Sequence, residues 1–344
     1  TRLRTVTGVQ TCALPIFAVL VVGPLAVAVG AVPVSPLDIL RLVAWRLGLA
    51  ARPDVSRAVE VIVLDLRLPR VVLAAVVGAA LAASGTLFQA LFRNALADPA
   101  IIGVSSGAAF GAVLVIVTVG AGSLAGLGVP LAAFLGALAT GFLVYRLARV
   151  GPTVHVETLL LAGVAVAAVV SSAMSLVMSF SGEQLRDIYT WLLGGLVAQG
   201  WRSVAITAPI VAVGVVAAAT TAHDLNLVAL GEERAAQLGV DVPSLKRRSL
   251  AAGALIAAAA VSVGGIIGFV GLMTPHLLRL AVGPDHRRLL PAVLLAGPLL
   301  LVGADLIART VLAPQELPVG VVTALLGGPF FLFLLRREGG RPRG

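Results

Sequence analysis

The chain has 344 residues, of which 59% are hydrophobic and 12% charged, with a formal net charge of +9 and a single cysteine. So little polar surface cannot cover a water-soluble core of this size, and apolar runs of about 20 residues recur, the length that crosses a bilayer's hydrocarbon; the expected class is an all-α, polytopic membrane protein. The positive balance then reports topology, through the cytoplasmic excess of Lys and Arg, and not a nucleic-acid surface, while Cys12 alone excludes disulfide scaffolds and cysteine metal sites.

In chain order, residues 6–16, "VTGVQTCALPI", read as translated sequencing adapter. Residues 1–16 are therefore expected to be a non-native leader, with the authentic chain starting near Phe17. The first span is predicted over 17–32, ended by Pro33 and Pro36. Residues 34–69 are mixed in character and predict an extramembrane segment with short amphipathic pieces. Further spans follow at 70–92, 101–119, 124–145, 158–180 and 203–220, the first two separated by the polar turn "RNALADP" at 93–99. Residues 181–191 are polar, and "LLGGL" behind them predicts a short half-buried piece. A charged island occupies the loop 222–247, and spans at 290–308 and 318–335 lead to a basic tail, with 339–344 beyond the membrane domain of 17–338.

Residues 249–284 lie between the basic clusters "KRR" and "DHRR", both expected on the cytoplasmic side. The segment must go out and return in fewer residues than two full spans of about 20 each require. One limb must therefore be short or broken, and "VGGIIGFVGLMTPH" supplies the glycines and the proline to do it. Irregular backbone at that depth has to be covered by protein or a water-filled cavity. The count becomes ten crossings with the C-terminus inside. Arg67, Arg70, Arg186, Arg202 and Arg309 then fall outside, against the usual charge bias. Most glycines in the spans read as close helix packing. Residues 70–99 and 248–275 also share a pattern of arginine, Ala-rich helix, glycine and proline, a faint echo of an inverted repeat.

The stretch "LRLPRVVLAAVVGAALAASGTLFQALFRNALADPAIIGVSSGAAFG" (66–111) resembles the signature region of the iron-siderophore and vitamin B12 class of ABC importer permeases. The resemblance continues through "LLLAGVAV" (159–166), "WLLGGL" (191–196), "ALGEERAAQLGV" (229–240), "GIIGFVGLMTPHLLRL" (265–280), "DHRRLLPAVLLAGPLLLVGADLIART" (285–310) and "ELPVGVVTALLGGPFFLFLLRR" (316–337). It implies the type II ABC importer permease fold, with ten transmembrane helices per subunit. It also implies residence in the bacterial inner membrane and the import of iron-siderophore, haem or cobalamin-type chelates along a pathway between two permeases, identical or paralogous. The implied partners are two cytoplasmic ATPase subunits, through which ATP-Mg acts, and a periplasmic or lipoprotein substrate-binding protein. No cofactor is expected on this chain itself.

In the island, Glu232 and Glu233 occupy the first turn of a short helix, where the dipole favours anions, and Gly239 suits its end. Ala235 and Leu238 are expected to share one side, Glu233 and Gln237 another. Alone, such a helix reads either as a solvated connector or as a docking element; the resemblance makes residues Glu232, Glu233, Arg234, Ala235, Gln237, Leu238 and Gly239 the coupling helix that rests in the ATPase. Arg67, Arg70 and Arg309 match family positions that pair with glutamates of the binding protein, against the plainer reading of interfacial snorkelling, which is preferred for Arg186 and Arg202. Ala95 stands where the family usually has proline, although Asn94, Asp98 and Pro99 still supply turn chemistry. Asn94, Leu96, Ser105 and Ser106 are the candidates for gate or pathway; the two serines equally well merely pack.

His155, His223, His276 and His286 have no metal-ligand spacing, no G-x-x-x-x-G-K-[ST] phosphate loop occurs, and no catalytic constellation is apparent. The rival readings are an ion-coupled secondary transporter, for which Asp305 would be the best ionisable candidate, an intramembrane enzyme, and an ABC permease for free zinc or manganese.

Overall fold

The computed structural model describes residues 22–30, 32, 34–150, 153–197 and 199–339. The adapter-like leader and most of the basic tail lie outside them, as does the start of the first predicted span. Residues 22–28 form helix α1. Helix α2 (Pro36–Arg46) starts on a proline, whose fixed φ suits a first helical position, and ends at Gly48 in the left-handed region. Helix α3 (Arg57–Leu91) is longer than the predicted span 70–92. Its extra turns extend N-terminally beyond both arginines of "RLPR". Pro69 has no N–H for the preceding turn, and residues Ile62–Arg67 open into a wider π-type turn that absorbs the mismatch. The Leu64 carbonyl, loosened by that turn, accepts the Trp201 Nε1–H at 2.8 Å.

A single 3-10 turn (Pro99–Ile102) links α3 to α4 (Val104–Thr118), and α5 (Gly128–Ala148) follows. A short hairpin pairs Arg149–Val150 with Thr153–Val154 before α6 (Val156–Met178). Then come the surface helix α7 (Leu185–Leu192), α8 (Trp201–Val228), the short α9 (Glu232–Gln237), α10 (Val242–Gly264), α11 (Val270–Val282), α12 (His286–Thr310) and α13 (Val319–Gly339). Six of these helices are long and apolar enough to cross a membrane, and α4, α11 and α13 add shorter apolar helices.

Helix α3 is the centre of the bundle, 78% buried along its most apolar window, whereas α6 is only 11% buried at the periphery. Close approach to α3 depends on the absence of side chains. A Cβ at Gly78 would strike the Gly297 carbonyl of α12, and one at Gly85 the Gly271 carbonyl of α11. Gly107 and Gly136 make the same kind of contact between α4 and α5. Lipid tails offer helices no hydrophobic reason to associate, so backbone-to-backbone packing through small residues carries the contact. The Ser84 hydroxyl, donating to the Gly253 carbonyl at 2.8 Å, joins α3 to α10 inside this core.

The broken limb is real. Helix α10 ends at Gly264, residues 265–269 are non-helical, and α11 begins at Val270. Gly265 has φ +65° and ψ −159°, a conformation closed to residues with a Cβ, and its position beside the Trp191 carbonyl leaves no room for one. The freed backbone groups find partners in and just after the predicted half-buried piece: Gly195 N donates to Gly264 O at 2.8 Å, and the amide of Gln199, three residues beyond that piece, to Val263 O at 3.2 Å. Gly320, in the first turn of α13, donates to Gly194 O at 3.3 Å. Irregular backbone is thus covered by protein on both sides, as a low-dielectric environment demands.

Candidate functional site

The bundle has two polar ends. At one end α1, the outer turns of α3, the end of α12 and the residues before α13 converge on a buried cluster of charge. Arg70 lies between two acids, with Nη2 2.9 Å from Asp305 Oδ1 and Nη1 2.8 Å from Glu316 Oε2. Asp305 also holds Arg309, Nε to Oδ2 at 3.0 Å, one helical turn along α12. The Arg67 guanidinium donates to the carbonyls of Val27 (3.0 Å), Ala28 (3.1 Å) and Val32 (2.6 Å), and Arg309 Nη2 to Ala26 O at 2.8 Å. Two arginines therefore cap the last carbonyls of α1, where the partial negative charge of the dipole gathers. Gly30 makes room for this: a Cβ there would come within 2.5 Å of Arg67. A cavity of about 580 Å³ opens beside the cluster, lined by Asp65, Arg67, Arg70, Gln199, Arg309 and Glu316 among others.

The three arginines expected to receive the external binding protein are each held by partners within the chain. Arg67 and Arg309 are 8% and 7% exposed, and Asp305 is fully buried. Their guanidiniums already satisfy partners within the chain, because an unpaired charge at this depth would carry a desolvation penalty of several kcal/mol. Snorkelling, the plainer alternative, fails for the same reason. Asp305 is likewise a structural counter-ion between two arginines, not a lone intramembrane acid. Of the other two outward arginines, Arg186 is exposed, and Arg202 donates to Ala125 O at 3.3 Å.

At the opposite end, α9 projects from the joint between α8 and α10. Gly231 (φ +119°) precedes it and Gly239 (φ +88°) follows, so the chain turns sharply on both sides. Ala235 is fully buried, and Glu232 is tied to Lys246 Nζ at 2.7 Å, which fixes the helix on α10. Glu233, Arg234, Gln237 and Leu238 face outward, Leu238 with 62% of its surface exposed. Ala235 and Leu238, expected to share one side, differ in burial: the helix stops at Gln237, and Leu238 at its C-cap is exposed whereas Ala235 is covered.

The turn "RNALADP" lies at this same end. Asn94 Oδ1 accepts from Leu96 N at 2.9 Å and Asp98 Oδ1 from Ala100 N at 2.8 Å, so two Asx turns hold it despite Ala95. Leu96 is exposed, whereas Ser105 and Ser106 are half-buried at the start of α4, and Ser106 donates to Gly103 O at 3.0 Å. The structure does not bring these serines together with Asn94 through any hydrogen bond. A network missed by sequence reasoning adjoins them. Asn226 Nδ2 donates to Asp285 Oδ1 at 2.6 Å, and Asn226 Oδ1 accepts from the backbone N of His286 at 2.9 Å. The Arg287 backbone N–H and the Asn226 amide hold the Asp285 carboxyl below the usual carboxylate range. Asp285 thereby caps α12 and ties it to α8. The only sequence signal was the aspartate directly before a helix start. Among the described residues no group of three His, Cys, Asp or Glu side chains could hold a metal.

Comparison with known proteins sets this arrangement in context. Residues 18–337 match the FecCD transport family. The chain is 48% identical over 282 residues to the cobalamin import system permease BtuC of Halobacterium salinarum, covering 82% of this chain and 75% of that one. It is 44% identical over 278 residues to the hemin transport system permease HmuU of Yersinia pestis, covering 80% and 83%. Among solved structures, a metal-chelate type ABC transporter in an inward-facing conformation superposes with a TM-score of 0.83 at 29% identity, over 95% of this chain and 99% of that one.

Proposed function

This chain belongs to the FecCD transport family, and from that premise we propose how its two polar ends work in a transporter. The protein is a multi-pass membrane permease subunit of an ABC importer for siderophore, haem or B12-type chelates. Our reading places the α9 end and the C-terminus in the cytoplasm and the arginine cluster outside. A pair of ATPase subunits engages the outward face of α9, and a second permease, identical or paralogous, completes the pathway. The observation that carries this reading is the form of α9. It is anchored by Ala235 and by the Glu232–Lys246 pair, yet it presents Glu233, Arg234, Gln237 and Leu238 to a partner absent from the chain itself. A six-residue helix is too short to persist without such anchoring, and rigid anchoring is what allows force to pass from partner to bundle.

At the far end the external binding protein docks, on this reading, over the cluster around Arg70. Glu316 is its accessible acid, with a side chain 39% exposed, so carboxylates of the partner compete with Glu316 for the Arg70 guanidinium. The test is reconstitution in vesicles with an ATPase subunit and a binding protein of the same type of importer. ATP-dependent uptake of cobalamin, haem or a ferric siderophore is expected. Uptake that persists without ATP and follows an ion gradient would overturn the reading.

A further inference from the structure

A cavity of about 350 Å³ lies at the α9 end, behind the "RNALADP" turn, where the ends of α3 and α8 meet α11 and the start of α12. Its lining includes Gln89, Arg93, Asn94, Arg279 and His286, and no acidic residue. Two buried polar atoms among these residues have no hydrogen-bond partner, Gln89 Oε1 and His286 Nε2. Both are acceptors. The Gln89 amide nitrogen already donates to the carbonyls of Gly271 and Leu272, both at 3.3 Å. The His286 Nδ1 lies 2.7 Å from Asn226 Oδ1, an oxygen that can only accept, so the ring proton sits on Nδ1 and the lone pair on Nε2.

Two arginines line the same cavity. Arg279 is half-buried on the mostly apolar α11, Arg93 is exposed at the cavity's edge, and neither has an ion pair or a side-chain hydrogen bond among the described residues. Arg93 also holds the left-handed conformation (φ +48°) at the end of α3, a place where glycine would be less strained. A cavity with two unpaired cations and two orphaned acceptors calls for a ligand that carries negative oxygens and a proton donor together. The two buried acceptors, left without partners, are otherwise destabilising.

We propose that this cavity binds a phosphate group with an adjacent hydroxyl, its charged oxygens held by Arg93 and Arg279 and its hydroxyl donating to Gln89 Oε1 or His286 Nε2. Free hydrogen phosphate and the glycerol-phosphate headgroup of an anionic lipid share this chemistry. Occupancy pins the 93–99 turn to α11 and α12, and so biases the position of the turn that carries Asn94 and Leu96. The site stands apart from the choice of cargo and from the coupling helix.

The test uses the full chain in phosphatidylcholine nanodiscs, with and without added phosphatidylglycerol. Radiolabelled inorganic phosphate is titrated in one arm, and lipid retention is measured by native mass spectrometry in the other. Saturable phosphate binding that phosphatidylglycerol leaves unchanged identifies the free ion as ligand; selective retention of phosphatidylglycerol, with displacement of phosphate, identifies the headgroup. In either case Arg279→Gln weakens binding about tenfold, the effect of losing one charged hydrogen-bond partner, while Arg52→Gln at the opposite end does not. Arg93→Gln, at an exposed position, carries the same test should Arg279→Gln fail to fold. No saturable binding in either arm, or equal binding by wild type and the arginine variants, overturns the proposal.

Discussion

Arg70 and Asp305, 235 positions apart in the chain, meet through two contacts of 3.0 and 2.9 Å, with only 11% and 1% of their side chains exposed. The pair clamps the outer turns of α3 to the end of α12. Arg309 shares the same carboxylate and carries the clamp on to α1 through Ala26.

Removing that carboxylate leaves Arg309 buried without a counter-charge and Arg70 with Glu316 alone. Asp305→Ala is therefore expected to destabilise the permease by about 3–5 kcal/mol, the penalty of breaking a buried pair from one side. The triple change Asp305→Leu, Arg70→Leu, Arg309→Leu should be milder than the single one, because no buried charge is left stranded and Glu316, 39% exposed, stays solvated. Thermal unfolding in detergent, read by tryptophan fluorescence, checks the order of the two.

On α9, Leu238→Asp should leave folding intact, since the side chain is exposed, and should abolish most ATP-driven uptake by placing a charge in an apolar contact. Co-purification of the ATPase and uptake in vesicles report the two halves of this expectation. Undiminished transport would remove α9 from the coupling path.

Glycines divide by what surrounds them. Gly78→Leu forces side-chain atoms onto the Gly297 backbone and should cost about 1–3 kcal/mol or prevent assembly. Gly303, in the middle of α12, has nothing within 4 Å of an added Cβ. Gly303→Ala should accordingly be neutral or stabilise by about 0.5–1 kcal/mol. Expression level and thermal stability of the two variants separate packing glycines from permissive ones.

Sidedness can be read with an impermeant maleimide on single cysteines in a Cys12→Ser background. Positions 93, 234 and 336 should label only from the cytoplasmic face, and 54, 186 and 315 only from outside; all six are exposed. Arg234 serves better than Lys246, whose side chain is 12% exposed and paired with Glu232. Labelling of position 234 in intact cells would reverse the orientation.

Much of the architecture follows from local rules that need no neighbours. Span length, helix periodicity and the charge brackets around 249–284 require an all-helical, many-pass chain with one broken limb, and that limb breaks at Gly264 and Gly265 where the glycines cluster. The short helix before Gly239 is equally legible, since its acidic first turn and terminal glycine act within a few residues. Partner choice is different. Three arginines are visible in the sequence as charges that, on the predicted topology, oppose the insertion bias, and the family resemblance assigns them to docking. Only the packing of α3 against α12, set by Gly78 and Gly297, brings Arg70 to Asp305 and commits the cluster to the fold. The exposure of Leu238 and the meeting of Gln89, Arg279 and His286 around one cavity are of the same kind. Helix periodicity tells which side of its own helix a residue occupies, but burial and pairing depend on which distant helix arrives there, and that is decided by close packing between segments far apart in the chain.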